Sequence, residues 1–106
     1  MLTIKLHNTK PALKIQFKDS SNAPMSLDET MVTMTMISSK GFVKIDKQIV
    51  LITDSANGRI QYQWQPNDTN EVGIFYIEFE ITYKDNSTVT VPSSGCLQLQ
   101  VIKHFQ

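Results

Sequence analysis

Apolar and polar residues alternate with a period of two along almost the whole chain. The longest run begins at Phe75 and ends at Tyr83, and the residues between its apolar positions include Glu78 and Glu80. This period places successive side chains on opposite faces of a β-strand, whereas a helix needs apolar residues three or four positions apart. The runs predict strands with one face in a core made of Leu13, Ile15, Phe17, Val32, Met34, Ile60, Tyr62, Trp64, Phe75, Ile77, Phe79, Ile81, Leu97, Leu99 and Val101.

Turn-forming residues separate these runs. Asn57-Gly58 suits a tight hairpin, because both residues readily adopt positive φ, and residues 84–87 form a second polar turn. Residues 26–29 resemble the start of a helix, but the β-branched residues and Met/Thr alternation that follow favour a strand over residues 31–37. Short strands with turns roughly every 8–12 residues indicate an all-β fold, an antiparallel immunoglobulin-like β-sandwich of about 7–9 strands.

Length and charge limit the other possibilities. The 106 residues predict one domain, residues 1–106. Ten basic and ten acidic residues cancel, so we expect no electrostatic attraction to nucleic acid or to an anionic membrane. No segment approaches the ~20 apolar residues of a membrane span, and the first ten residues do not resemble a signal peptide. We therefore expect a protein that is made in a cytoplasm and stays soluble.

Residues that often carry chemistry do not form a recognisable site. His7 and His104 lie near the two ends, and no carboxylates accompany them in the pattern that a metal site requires. Ser93, Ser94 and Cys96 lack the adjacent base that activates a nucleophile, and a single cysteine excludes an internal disulfide. The sequence predicts no enzyme, no cofactor and no metal.

Two further features have a structural and a functional interpretation. Asp68, Asn70 and Glu71 provide too few oxygens for calcium, so a capped turn between strands is the favoured interpretation. Trp64 continues an alternating run, and this favours a core anchor over an exposed platform for a sugar or peptide.

The second half of the chain carries a series of short motifs. They are Gly-Arg-Ile-Gln-Tyr-Gln-Trp (58–64), Asp-Thr (68–69), Gly-Ile-Phe-Tyr (73–76), Glu-Phe-Glu-Ile-Thr-Tyr (78–83), Asp85, Pro-Ser (92–93) and Gly95. This series resembles the immunoglobulin-like N-terminal domain of the phage baseplate upper protein family, over about residues 10–103. Small tail and neck proteins of many phages are similar.

The resemblance implies a structural role in a virion that is assembled in the cytoplasm of a host bacterium. It implies a docking module for other phage virion proteins, without catalytic residues. Baseplate members of the family continue into long C-terminal regions, whereas this sequence ends at Gln106. We therefore expect a small tail, neck or head-associated protein.

Two surfaces are candidate interfaces. Tyr76, Glu78 and Glu80 lie on the polar side of the longest strand, which is either a solvated face or an interface anchored by Tyr76. Residues 1–9 are either a free N-terminal arm or an edge strand, and as an arm they would make contact through Leu2, Ile4 and Leu6.

These surfaces predict a homo-oligomer or a multi-copy ring. The alternative function is a carbohydrate- or host-surface-binding immunoglobulin-like module, which requires an exposed aromatic cluster beside a groove.

Overall fold

The alternating runs form strands. The structure, a computed structural model, describes residues 2–92 and 95–105, and within them it has nine strands and one short 3₁₀ helix. The all-β prediction is confirmed. The elements are β1 (Leu2–Lys5), β2 (Leu13–Gln16), β3 (Met31–Ser38), β4 (Val43–Ile49), β5 (Leu51–Asp54), the 3₁₀ helix (Ser55–Asn57), β6 (Arg59–Tyr62), β7 (Gly73–Thr82), β8 (Thr88–Val91) and β9 (Leu97–Ile102).

The strands form two sheets. The larger sheet has the order β1-β9-β7-β3-β4, with β8 also paired to β7, and the smaller sheet has the order β2-β6-β5. Every pairing between these strands is antiparallel except one, because β1 runs parallel to β9. Parallel neighbours need a long connection. Here the rest of the sandwich provides that connection, since β1 and β9 are the first and last strands.

The core lies between the sheets. Thirteen of the fifteen predicted core residues are buried, including Trp64, while Ile15 and Leu97 are only partly buried. Those two residues line a groove that opens to solvent between β2 and β9. The core also contains buried apolar residues that the prediction omitted, namely Ile4, Leu27, Met36, Ile45 and Val50.

The helix-like pattern at residues 26–29 does not form an α-helix. Residues 28–29 form a turn before β3, and the strand predicted over residues 31–37 is confirmed. Within the two ranges that the structure describes, no helix is long and apolar enough to cross a membrane.

Gly58 closes the turn between β5 and β6 in a left-handed conformation, with φ of +68°. Its carbonyl accepts a hydrogen bond from the Phe17 N–H at 2.8 Å. A Cβ at this position would lie 2.5 Å from the Met25 carbonyl oxygen and 2.7 Å from that of Phe17. The turn, β2 and the following loop are therefore packed too closely for any side chain here.

We expect Gly58→Ala to lower the free energy of unfolding by more than the ~1–2 kcal/mol that a left-handed conformation costs a residue with a Cβ. Denaturant unfolding measures the change. Gly41→Ala is the matched control, because Gly41 also has positive φ but a Cβ there would meet nothing within 4 Å. Equal losses in the two variants would show that the close backbone approach is unimportant.

Candidate docking face

An interruption in one edge of the larger sheet creates a groove on its surface. β8 and β9 pair with successive parts of the same edge of β7, so that Val91 lies opposite Phe79 and Leu97 lies opposite Ile77. Between these two pairings β7 advances by one residue, Glu78, while the chain passes from Val91 to Leu97. The described part of this segment includes Gly95 and Cys96, whereas Ser93 and Ser94 lie outside the described residues.

The groove has a volume of about 270 Å³ and lies on the side of the larger sheet that faces away from the smaller sheet. We call this side the outer face. β3 contributes Thr35 and Ile37 to the groove, β7 contributes Tyr76 and Glu78, and Gly95 and Cys96 form its remaining border. Two of the predicted interface residues thus line one concave site.

An apolar row crosses the outer face through this groove. Tyr76 on β7 lies opposite Ile37 on β3, which in turn lies opposite Val43 on β4. Tyr76 and Ile37 are half-buried, and Val43 is 60% exposed at the edge of the sheet. Ile49, also on β4, is 68% exposed. Adjacent apolar side chains that reach the surface, as Tyr76, Ile37 and Val43 do, are typical of contact surfaces.

Two carboxylates lie beside the apolar row. Glu78 pairs in register with Thr35, and Glu80 pairs with Thr33. Among the described residues, neither glutamate has a hydrogen-bond or ion-pair partner, and the ion pair that is present joins Lys84 to Glu29. The predicted face is therefore open and negatively charged, and Tyr76, Glu78 and Glu80 lie together on it.

The N-terminal residues predicted as an interface are placed differently. β1 is an edge strand, which was one of the two alternatives for residues 1–9, and the free arm is not observed. Ile4 is only 7% exposed, while Leu2 and Leu6 pack against the core. Ile4 is therefore largely inaccessible to a partner, whereas Leu2 and Leu6 are accessible only in part, because all three side chains pack in or against the core.

The two ends of the chain are also joined to each other. The Leu6 N–H donates a hydrogen bond to the Ile102 carbonyl at 2.8 Å, and a His104 ring nitrogen lies 2.7 Å from the Leu6 carbonyl oxygen. A deletion of residues 1–9 would therefore remove core packing together with the N-terminal candidate contact surface. Because the deletion would also destabilise the fold, it cannot test docking.

The Asp68 loop has a structural role. Asp68 is 8% exposed and accepts hydrogen bonds from the Tyr62 hydroxyl at 2.5 Å and from the Gln65 N–H at 2.8 Å. Thr69 is fully buried, and its hydroxyl donates to the Asn8 carbonyl at 2.8 Å. These contacts confirm the capped turn. Across residues 2–92 and 95–105, no three histidine, cysteine or acidic residues converge in a way that could hold a metal ion.

Sequence reasoning missed Ile37, Val43 and Ile49. Ile37 could have been recognised from the sequence, because it is an apolar residue on the face of β3 that otherwise carries Thr33 and Thr35. Val43 and Ile49 were hidden by register shifts between β3 and β4, which place residues of equal parity on opposite faces.

Comparison with known proteins gives a fold but no family. No protein-family model matches the chain, and no curated protein does. The crystal structure of CopC from Methylosinus trichosporium OB3b is similar, with a TM-score of 0.57 and 11% identity over 99% of this chain and 86% of that chain. At that identity the likeness concerns the fold alone, and it agrees with the β-sandwich described above.

Proposed function

We propose that this chain is a structural subunit of a bacteriophage virion and that it docks onto other virion proteins through the outer face of its larger sheet. The observation that carries the docking role is the apolar row from the exposed Val43 through the half-buried Ile37 to the half-buried Tyr76, with Glu78 beside it. The virion assignment is supported by the resemblance of residues 58–95 to the phage domain.

The composition of this face suits a protein partner. A half-buried tyrosine in a groove can anchor a contact, because it contributes a large rigid surface and one polar atom. Charged residues at the rim, such as Glu78 and Glu80, contribute more to the orientation and specificity of a partner than to the affinity. The outer face has both the tyrosine anchor and the charged rim, and both lie on β7.

The rival function, a carbohydrate-binding module, has less support from the arrangement of aromatic residues. Phe17, Tyr62, Trp64, Phe75 and Phe79 are all buried in the core. Tyr76 is the aromatic residue that lines the groove. A sugar platform usually exposes an aromatic face, whereas Tyr76 in this groove is half-buried.

The test of docking is the double variant Tyr76→Ala with Glu78→Lys, supplied in trans to the phage that encodes the chain. We expect its copies per virion, measured by quantitative mass spectrometry of purified particles, to fall at least about tenfold, which corresponds to ~1.4 kcal/mol of lost contact energy. The matched control is Phe105→Ala with Glu71→Lys, which removes an exposed phenylalanine and reverses an exposed glutamate elsewhere.

Each outcome has a defined meaning. Absence of the wild-type chain from purified particles would contradict the virion assignment. Normal incorporation of a folded Tyr76→Ala, Glu78→Lys variant would contradict the outer face as the docking surface. Binding of the wild-type chain to host-surface glycans, lost in the same variant, would favour the carbohydrate-binding alternative.

A further inference from the structure

The outer side of the smaller sheet carries charge of the opposite sign. Lys14 on β2 lies opposite Gln61 on β6, and Arg59 on β6 lies opposite Gln16 on β2. Lys14 and Arg59 are exposed, and both line a shallow depression of about 410 Å³ together with the two glutamines. We call this side the basic face.

The two cations of the basic face are available to a partner. Within residues 2–92 and 95–105, neither Lys14 nor Arg59 forms an ion pair. Asp54 is the acidic residue in register with Arg59, and its carboxylate accepts a hydrogen bond from the Asn57 side chain at 2.9 Å. A carboxylate from another molecule would therefore find two unpaired cations beside hydrogen-bonding amides.

Each face also has an apolar residue at the same border of the sandwich. Val50 is buried where the chain passes from β4 to β5, and Ile49 and Leu51 flank it. Ile49 lies on the outer face, opposite Thr33, while Leu51 lies on the basic face, opposite Gln61, and is 64% exposed. Both faces thus combine charge with an exposed aliphatic side chain.

Net charge does not reveal this arrangement. Ten basic and ten acidic residues give a formal charge of zero, yet Glu78 and Glu80 lie on one side of the sandwich, and Lys14 and Arg59 lie on the other. Lys5 is also on the outer side, but it pairs with Ile102 at the end of the sheet remote from Glu80. The charges of the outer face are therefore complementary in sign to those of the basic face, whereas two copies of the same face carry like charges.

We propose that the partner of the outer face is the basic face of a second copy of this chain. The inference rests on the proposed function for its use of the outer face as a docking surface. Contact between Glu78 and Glu80 of one copy and Lys14 and Arg59 of the next is heterologous, since it joins two different surfaces. Because the surfaces lie on opposite sides of the sandwich, each copy binds two neighbours, and a ring or an open filament results.

The alternative two-fold arrangement is disfavoured by the same charges. Two outer faces in contact would place carboxylates against carboxylates, and two basic faces would place cations against cations. Like charges brought together at an interface oppose binding. Head-to-tail contact is the arrangement that pairs every one of the four charges.

The test uses the purified full-length protein and sedimentation velocity over a range of concentrations. We expect the wild-type chain to self-associate, and to do so more weakly when ionic strength rises from about 0.05 M to about 0.5 M, since salt screens exposed charges. Lys14→Glu with Arg59→Glu, and separately Glu78→Lys with Glu80→Lys, should each weaken association at least about tenfold.

One mixing experiment and one combined variant then identify the contact. Each double variant repels itself, but an equimolar mixture pairs a reversed basic face with a reversed outer face, so association should return. The variant with all four reversals should also recover association. Lys40→Glu with Lys84→Glu is the matched control, because it changes the net charge equally at exposed turn positions and should leave association unchanged.

The inference is overturned by a wild-type chain that stays monomeric at concentrations up to about 1 mM. It is also overturned if the mixture and the fourfold variant fail to restore association. These outcomes leave the proposed function intact, because incorporation into virions through the Tyr76 groove is measured separately. Self-association by a chain that is absent from virions would instead contradict the proposed function alone.

Discussion

Phe79→Ala is expected to lower the free energy of unfolding by ~3–5 kcal/mol, since a truncated core phenylalanine leaves a cavity that the surrounding structure fills only in part. Phe79 is 2% exposed and lies in the middle of β7, opposite Met34 on β3 and Val91 on β8. Its ring packs edge-to-face against the Phe17 ring, and the two ring centroids are 5.3 Å apart. The substitution therefore removes contacts within the larger sheet and between the two sheets.

This loss is large for a domain of this size. Small domains have a total stability of about 5–15 kcal/mol, so the variant would lose a fifth of it at the least. Thermal unfolding should show a decrease in Tm of at least ~12 °C. Phe105→Ala is the control, because Phe105 is 98% exposed and its removal should change the Tm little. Similar changes in the two variants would contradict the placement of Phe79 in the core.

Period-two alternation was sufficient to predict most of the fold. Tyr62, Phe75 and Ile81 are buried as predicted because each lies in an unbroken alternating run, where a shift by one residue would expose every apolar side chain. The turn at Gly58 was equally predictable, since Asn-Gly between two alternating runs is typical of a tight turn.

The parallel pairing of β1 with β9 could not be predicted in this way. Alternation in residues 2–6 specifies which side chains face inward, but it does not specify which strand lies alongside. The sequence left both a free arm and an edge strand open for residues 1–9, and Ile4 is buried against the core. The choice between arm and edge strand depends on a contact between the two ends of the chain, and no local pattern records such a contact.

The candidate docking face was predictable only in part. Tyr76, Glu78 and Glu80 were assigned to one face because they belong to one strand. Ile37 and Val43 complete that face from two other strands, and the register between those strands depends on bulges that the sequence does not reveal. Sites that combine several strands are visible only once the register is known.

Tyr62→Phe is expected to lower the free energy of unfolding by ~1–3 kcal/mol, since it leaves a buried carboxylate with one fewer hydrogen bond. The Tyr62 hydroxyl donates to Asp68 at 2.5 Å, and the Gln65 N–H donates to the same oxygen at 2.8 Å. Denaturant unfolding near neutral pH measures the loss. Tyr83→Phe is the matched control, because in the described part of the chain its hydroxyl makes no side-chain hydrogen bond.

The Tyr62–Asp68 pair also makes the free energy of unfolding depend on pH in the alkaline range. Burial, followed by the hydrogen bond to Asp68 and the negative charge of Asp68, raises the pKa of Tyr62 above its ordinary value of 10.0. Above pH 10 the unfolded chain has lost the phenolic proton that the folded chain still holds, so stability falls as the pH rises. Below that pH both states hold the proton, and the contribution is fully present.

The difference in unfolding free energy between wild type and Tyr62→Phe isolates this effect, because both proteins share the titration of their lysines. We expect the difference to be constant from about pH 7 to about pH 9 and to shrink above about pH 10. A difference that stays constant through this range would show that Tyr62 ionises equally easily in both states.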